Sequence, residues 1–219
     1  MGIERVYILN LSDPRIQYLC ECDKRLAKVI NMIGPISYTV REPKDAYPFL
    51  IHEIIEQMLS VKAGNAIYNR LKALCSGNIC PETISSLSNE EIRGIGTSNT
   101  KVTFIRSVTE AVITGKLDFD ELDKMDDEEA MKKLMSIRGI GSWTAKMYLL
   151  FVLGRQDILP YEDVAFLQSY QWLYKTLNRS PDSVIKKCKK WKPYASIAAR
   201  YLYRALDEGY TKEEFHLYK

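Results

Sequence analysis

Apolar side chains return every three or four positions through most of the chain. The pattern runs through residues 14–33, 47–74 and 101–113. This period places the apolar side chains on one face of a helix, so each stretch predicts an amphipathic helix. Ser60 can cap a new helix start, and we therefore expect the stretch 47–74 to break there into two helices.

Capping signals predict further helix starts. Ser88 with Glu91, and Asp126 with Glu129, each pair a polar cap with a glutamate three residues later, which is the spacing of a capping box. The first box predicts a short helix that ends near Gly94. Later helices are expected at 130–137, 143–153, 164–177, 182–190 and 194–206, with a short one after Thr211.

Only residues 1–11, with the run VYILNL at 6–11, have a strand-like pattern, and they are too few to form a sheet alone. We expect them to pack as a tail, and we interpret the polar stretch 37–46 as a connector. The predicted fold class is therefore all-α, with about ten helices joined by short loops.

A tight turn with the sequence IRGIG lies at 137–141, between two predicted helices. Gly139 and Gly141 supply the backbone freedom that such a turn needs, and they let backbone N–H groups approach a ligand. Ser142 is the expected N-cap of a helix that begins at Trp143 and ends before Gly154. Because a helix N-terminus favours an anion, this turn predicts a phosphate-binding site.

Two carboxylates follow the phosphate-binding turn. Pro160 breaks the chain, and Glu162 and Asp163 come directly after Tyr161. An acid in this position has two ordinary structural explanations, an exposed loop residue or the N-cap of the helix predicted at 164–177.

The sequence of the glycine turn is repeated earlier in the chain. The same IRGIG run stands at 92–96, and Lys101 and Lys146 each follow the last glycine of their copy by five residues. Two related hairpins would explain the repeat. A Gly-Ile-Gly run can also form a short turn between any two helices, and both explanations remain open for the first copy.

Composition limits the protein classes. The net charge of +3 over 219 residues is mildly positive, so a site for a polyanion must be local. The five cysteines have no C-x-x-C spacing, and His52 and His216 stand far apart, which argues against a zinc site or a histidine-dependent metallonuclease. No run reaches the length of a membrane span. We expect a cytoplasmic protein, nucleoid-associated if prokaryotic, with reduced thiols.

Four segments together resemble the helix-hairpin-helix DNA glycosylase superfamily, in its 3-methyladenine-DNA glycosylase II branch. They are EQMLSVKA at 56–63, LMSIRGIGSWTA at 134–145, LPYEDV at 159–164 and WKPY at 191–194. The resemblance implies one two-lobed helical unit over 1–219, without an N-terminal β domain, with lobes at 37–125 and 126–219. It implies that helix 12–34 joins the second lobe and that the target base enters a cleft between lobes.

The resemblance places Asp163 at the catalytic position. Breaking an N-glycosidic bond develops positive charge on the sugar, and a carboxylate beside it stabilises that charge while orienting or deprotonating water. Trp143 stands where strand-nicking relatives carry a lysine nucleophile, so no Schiff-base chemistry is expected. The indole is a candidate stacking wall for a flipped base, with core packing as the alternative.

The resemblance implies further site residues. Tyr194 and Met147 would join Trp143 in the base pocket, and Gln57 and Met58 would form the wedge that enters the duplex, although Met58 could equally pack in the core. Contacts to the DNA backbone would come from Gly139, Ile140, Gly141, Ser142, Thr144 and Lys146, with Lys146 alternatively a solvated side chain. A monovalent cation is possible at the backbone carbonyls of Ile137 and Ile140. Ala195 replaces an arginine that relatives often carry.

The sequence therefore predicts a monofunctional DNA glycosylase that flips out an alkylated purine and hydrolyses its glycosidic bond in base excision repair. The expected partner is double-stranded DNA with a damaged base, bound by a monomer without a cofactor or an iron–sulfur cluster. The alternatives are a glycosylase for a deaminated or oxidised base and a DNA-binding module without catalysis. The lysines of 186–192 could follow phosphates or only face solvent.

Overall fold

The computed structural model describes residues 5–218. The described chain is helical apart from one pair of short strands, β1 (Arg5–Leu9) and β2 (Ile36–Val40), and the predicted all-α class is confirmed. The α-helices are α1 (Pro14–Cys22), α2 (Lys24–Ile33), α3 (Pro43–Glu56), α4 (Val61–Leu74), α5 (Pro81–Ser86), α6 (Asn89–Gly94), α7 (Asn99–Ile113), α8 (Phe119–Lys124), α9 (Asp127–Met135), α10 (Ser142–Phe151), α11 (Val164–Tyr174), α12 (Pro181–Cys188) and α13 (Ala195–Asp207). Two short 3₁₀ helices, η1 (Lys189–Trp191) and η2 (Tyr210–Lys212), follow α12 and α13.

The described chain forms two compact units. The first is Arg41–Leu153, and the second joins residues 5–40 to residues 154–218. These bounds differ from the predicted lobes, since α9 and α10 belong to the first unit rather than the second. The reason lies in packing, because α10 lies against both α9 and α3.

The first unit is built around α3, which packs on α4, α7, α8 and α10. Its apolar residues at helical spacing, including Leu50 and Ile54, are fully buried. Tyr148 of α10 joins this core through ring contacts with Phe49 and Phe119, at centroid distances of 6.4 and 6.1 Å. The core therefore fixes α10, which follows the glycine turn, against α3 and α8.

The second unit packs α11 and α13 with α2, beside the two-stranded sheet. Strand β1 pairs with β2 in antiparallel register, with Tyr7 opposite Tyr38 and their rings stacked at 5.2 Å. The interpretation of 37–46 as a connector was therefore wrong, and residues 6–11 are not a lone tail. Each strand has only five residues, so neither could be recognised as half of a sheet until the chain brought them together.

Asp23 divides the helix predicted at 14–33 into α1 and α2. Its backbone is extended, with φ −145° and ψ 99°, and its carboxylate accepts the backbone N–H of Arg25 at 3.0 Å. Aspartate is a strong N-cap, but the apolar period runs on past it, and that period concealed the break. The predicted break at Ser60 and the predicted helix start at Ser88 are confirmed, since each side-chain oxygen accepts a backbone N–H in the next helical turn.

Other helix bounds shift by a few residues. Helix α7 starts at Asn99 behind the cap Ser98, and α11 stops at Tyr174 because Lys175 adopts a left-handed φ of 52°. The short helices α5 and α8 were not predicted, since six residues are too few to display a period. Within residues 5–218, no helix combines the length and the hydrophobicity that crossing a membrane requires.

Candidate active site

The glycine turn joins α9 to α10 as predicted, and its two glycines differ in backbone conformation and in surroundings. Gly139 has φ +99°, and a Cβ there would lie 2.4 Å from the Cβ of Phe104 on α7. Gly141 has φ −90° and is exposed, and a Cβ there would meet open space. Gly139 is therefore needed for the backbone and for packing, whereas Gly141 leaves the outer surface of the turn uncovered.

Helix α10 begins one residue earlier than predicted. Its N-cap is Gly141 and not Ser142, which is already helical. The first bond inside the helix runs from the N–H of Ala145 to the carbonyl of Gly141, at 3.0 Å. The N–H groups of a first helical turn point out of the helix end, where an anion is favoured. The start of α10 therefore offers N–H groups that suit an anion, and a contact with DNA there stays a prediction.

Three side chains of α10 that were proposed as site residues are buried. Thr144, Lys146 and Met147 are 1%, 8% and 3% exposed. The alternative of Lys146 as a solvated lysine was therefore wrong, and its burial disfavours a phosphate contact. Trp143 is only partly buried. The assignment of Trp143 and Met147 to a base pocket remains a prediction.

Gln57 connects the end of α3 to the glycine turn. Its side-chain amide donates to the carbonyl oxygen of Gly139 at 3.0 Å and to the Oγ1 of Thr144 at 3.1 Å. Met58, next in the chain, has a left-handed φ of 59° and a fully exposed side chain. Core packing of Met58 is thus excluded, while its role as a wedge, with Gln57, stays a prediction.

Lys101 is a residue whose role the sequence did not reveal. Its Nζ donates to the carbonyl oxygens of Ile55 and Gln57, each at 2.7 Å, at the end of α3. Burial lowers the pKa of its ammonium group. The repeated IRGIG run had drawn attention to this lysine, but the spacing alone could not show that it binds carbonyls rather than phosphate.

The two IRGIG turns differ in geometry. In the first copy the glycine with positive φ is the second one, Gly96, at +100°, and α7 starts only at Asn99. In the second copy it is the first glycine, Gly139, and α10 starts directly after Gly141. The carbonyl of Ile95 between the first pair accepts a hydrogen bond from Arg70 at 3.0 Å. These differences favour the explanation of the first copy as an ordinary turn.

Asp163 is the N-cap of α11. Its Oδ1 accepts the backbone N–H of Phe166 at 2.8 Å, and its side chain is partly buried, whereas Glu162 is exposed. The structure therefore confirms that Asp163 caps α11, and this hydrogen bond uses one of its two carboxylate oxygens. A cap also fixes the direction of a carboxylate, so capping and catalysis by Asp163 are compatible.

The first turn of α13 anchors the loop that leads to Asp163. The Oγ of Ser196 accepts the N–H of Ile158 at 2.8 Å, and the backbone N–H of Ser196 donates to the carbonyl of Gln156 at 2.9 Å. Ala195 donates its N–H to Asp157 at 3.4 Å. Ala195, where the resemblance led us to expect an arginine, thus helps to place the loop that leads to Asp163.

Tyr194 lies directly before α13 and is partly buried. Its ring meets that of Tyr18 edge to face, with centroids 5.5 Å apart, and the hydroxyl of Tyr18 donates to the carbonyl of Lys192 at 2.5 Å. These contacts hold Tyr194 beside the anchor of the acidic loop, within the second unit. Its function in a base pocket stays a prediction.

His52 lies among two glutamates and an asparagine. Its Nδ1 lies 3.2 Å from Oε1 of Glu53, and its Nε2 lies 3.1 Å from Oδ1 of Asn65 and 3.6 Å from Oε1 of Glu56. Burial alone would lower the pKa of His52, but the hydrogen bonds to Glu53 and Asn65 and the charge of Glu56 outweigh it, so the pKa is raised. A protonated His52 therefore fits this acidic surrounding.

The lysines near α12 are not all solvated. Lys190 pairs with the buried Asp23 at 2.9 Å. The ammonium groups of Lys187 and Lys190 lie 4.9 and 5.6 Å from the ring centre of Tyr174. At least these two lysines therefore serve the internal structure of the second unit.

Backbone carbonyls of Ile137 and Ile140 were proposed to bind a monovalent cation. The carbonyl of Ile137 already accepts the N–H of Ile140 at 3.1 Å. Since a carbonyl oxygen has two lone pairs, one remains for a cation. The cation site at these two carbonyls stays a prediction.

The described chain thus combines a helical hairpin that has a glycine turn with a later aspartate that caps α11. The family described as HhH-GPD superfamily base excision DNA repair protein matches residues 51–193. The chain belongs to this family.

The chain is also similar to individual members of that family. It is 33% identical to DNA-3-methyladenine glycosylase 1 of Schizosaccharomyces pombe, over 95% of this chain and 93% of that protein. A crystal structure of a DNA-3-methyladenine glycosidase from Bacillus halodurans superposes with a TM-score of 0.82 at 33% identity, covering 96% of this chain and 97% of the other. A 3-methyladenine DNA glycosylase from S. pombe, in complex with abasic DNA, has a TM-score of 0.76 at 27% identity over 93% and 98% of the chains.

Proposed function

We propose that this protein is a monofunctional DNA glycosylase that removes alkylated purines of the 3-methyladenine type in base excision repair. The observation that carries the proposal is the placement of Asp163. This residue caps α11 and ends a loop that α13 anchors. The same chain also contains the glycine hairpin. Relatives named 3-methyladenine glycosylases cover nearly the whole chain and support this substrate class.

The chemistry assigned to Asp163 follows from charge. As the bond between C1′ and the base nitrogen breaks, its electron pair leaves with the base and positive charge develops on the sugar. A carboxylate beside the sugar stabilises that charge. Water then forms the new bond to C1′, and Asp163 orients it and accepts its proton. The products are the free base and an abasic site.

The other residues bind and expose the substrate. Gly139 and Gly141 let backbone N–H groups meet a phosphate, and the N-terminus of α10 adds its positive end. Met58 enters the gap that the flipped nucleotide leaves. Trp143 and Tyr194 offer aromatic surfaces, which suit a cationic alkylated purine. A monovalent cation at Ile137 and Ile140 would add positive charge next to the same phosphate.

Replacement of Asp163 by asparagine tests the assignment. Asparagine keeps the size and can still cap α11 but has no negative charge, so we expect release of methylated purines from duplex DNA to fall about 100-fold or more. Binding to abasic DNA should change little. The matched control is Glu162→Gln, which removes the exposed neighbouring charge and should leave base release near the wild-type rate.

The outcomes separate the alternative functions. Base release by Asp163→Asn at the wild-type rate would refute the catalytic assignment. A wild-type protein that binds DNA but releases no base would be a DNA-binding module. A panel of methylated, deaminated and oxidised duplexes distinguishes the alkylated substrate from the other lesions, because the proposal requires the fastest release from the methylated duplex.

A further inference from the structure

Two side chains hold the segment between α3 and α4 from two directions. Gln57 binds the glycine turn, through the carbonyl of Gly139 and the hydroxyl of Thr144. Lys101, on α7, binds the backbone before Met58, through the carbonyls of Ile55 and Gln57. All of these groups lie in the first unit. Met58 is thus the exposed end of a segment that is fixed to two helices.

The carbonyls that Lys101 binds need a donor. Helix α3 ends at Glu56, and the last carbonyls of a helix have no partner within it. An ammonium group at this end also complements the helix dipole. Since the Nζ of Lys101 is partly desolvated and bound to two carbonyls at 2.7 Å, its structural contacts explain the position of the lysine without any phosphate.

The conformation of Met58 depends on its surroundings. A left-handed backbone costs a residue other than glycine about 1–2 kcal/mol, so it persists where neighbouring contacts impose it. The side chain of Met58 is fully exposed and makes no such contact itself. The N–H of Leu59 donates to the carbonyl of Glu56 at 2.9 Å and closes the turn that contains Met58. The bonds from Lys101 to the carbonyl of Gln57 and from Gln57 to Gly139 add constraints on the preceding residue that help to direct Met58 outward.

We propose that Lys101 is a positioning residue that holds Met58 ready to enter the duplex, and that Gln57 sets the distance between this wedge and the phosphate-binding turn. The inference rests on the proposed function, because a wedge matters only where a base leaves the stack. A prearranged wedge lowers the cost of ordering the segment at the moment of insertion.

The test compares base release from duplex and single-stranded methylated DNA. A wedge assists only the duplex, where a base must be unstacked. Lys101→Met keeps the aliphatic stem and removes the donor, and we expect the ratio of duplex to single-strand rates to fall about ten-fold, as for loss of charge-assisted hydrogen bonds. Lys116→Met, beyond the end of the same helix, makes the same charge change and should leave the ratio unchanged.

A double-mutant cycle separates positioning from general stabilisation. Met58→Ala should lower the same ratio, and Lys101→Met should lower it little further in the Met58→Ala background, since the wedge is already lost. Equal losses on both substrates, or a full additional loss in that background, would refute positioning. If Lys101→Met does not fold, Lys101→Gln replaces it, and the ratio must fall in the same direction.

A second measurement keeps this inference separate from the proposed function. Fluorescence of 2-aminopurine beside an abasic site in a duplex reports unstacking by the bound protein without any base release. We expect a smaller fluorescence increase with Lys101→Met than with the wild type. An equal increase would overturn the positioning role, whether or not the wild type releases methylated bases.

Discussion

At the residue scale, the two glycines of the hairpin illustrate how one turn combines packing with binding. Gly139 faces inward on Phe104, while Gly141 faces open space. A glycine pair in the sequence suggests one shared reason, but the structure shows two. The consequences for stability and for DNA binding should therefore separate.

Alanine at each position tests this separation. We expect Gly139→Ala to lower the free energy of unfolding by about 2 kcal/mol or more, from the positive φ and the clash with Phe104. Gly141→Ala should stay within about 0.5 kcal/mol of the wild type but should weaken binding to abasic DNA, because its methyl group covers the turn. Denaturant unfolding and a binding titration measure the two effects. A stable Gly139→Ala protein would contradict the packing argument.

Trp143 determines which covalent chemistry is available next to the hairpin. Indole has no amine that can attack C1′, so no Schiff base forms there. We expect borohydride to trap no protein on abasic DNA and the strand to stay intact after base release. A bifunctional glycosylase with a lysine nucleophile serves as the positive control. Efficient trapping of the wild type would disprove the monofunctional assignment.

At the element scale, Asp23 joins several elements of the second unit. It caps α2, and its buried carboxylate accepts from the indole N–H of Trp191 at 3.0 Å, from the hydroxyl of Tyr174 and from Lys190. Burial alone would raise the pKa of Asp23, but the bonds from Tyr174, Lys190 and Trp191 outweigh it and lower the pKa. A single aspartate thus stabilises the packing of α1 and α2 with α11 and η1.

Replacing Asp23 should be costly because it leaves three buried or partly buried donors without their acceptor. We expect Asp23→Ala to lower the free energy of unfolding by about 2–4 kcal/mol. Asp13→Ala, which removes the more exposed cap of α1, should cost about 1 kcal/mol. Urea unfolding measures both, and equal losses would show that the buried network adds nothing to capping.

The same aspartate contributes a pH dependence with a defined sign. Its folded pKa lies below the unfolded value of about 3.9, so its contribution is complete above that value and is lost as the pH falls through the lower, folded pKa. In the Asp23→Ala protein, the part of the acid destabilisation that begins below about pH 4 should be smaller than in the wild type.

At the scale of the whole molecule, the weak net charge agrees with the proposal of a local phosphate site. A charge of +3 gives little long-range attraction to DNA. Two lysines near α12 and Lys101 serve internal contacts, and Lys146 is buried. Recognition of the backbone by the N–H groups of the hairpin is consistent with this distribution of charge, because it needs no cluster of free lysines.

The sequence by itself determined the features that depend on local rules. Helical period, capping boxes and glycine turns identified the all-α class, the hairpin and the aspartate that begins α11, because each depends on residues within one or two helical turns. The break at Asp23 and the strand at 36–40 escaped for the same reason. A single aspartate in a periodic stretch does not by itself predict a helix break, and five extended residues do not predict a strand until the partner strand is known.

The tertiary structure alone decided which residues face solvent and which bind each other. Spacing could not tell that Lys101 binds carbonyls, that Gln57 reaches Gly139, or that Lys146 is buried while Met58 is exposed. These facts depend on contacts between residues more than forty positions apart, such as the 82 positions between Gln57 and Gly139. The sequence specifies the chemistry of each side chain, but its burial and its hydrogen-bond partners are determined only when distant helices pack together.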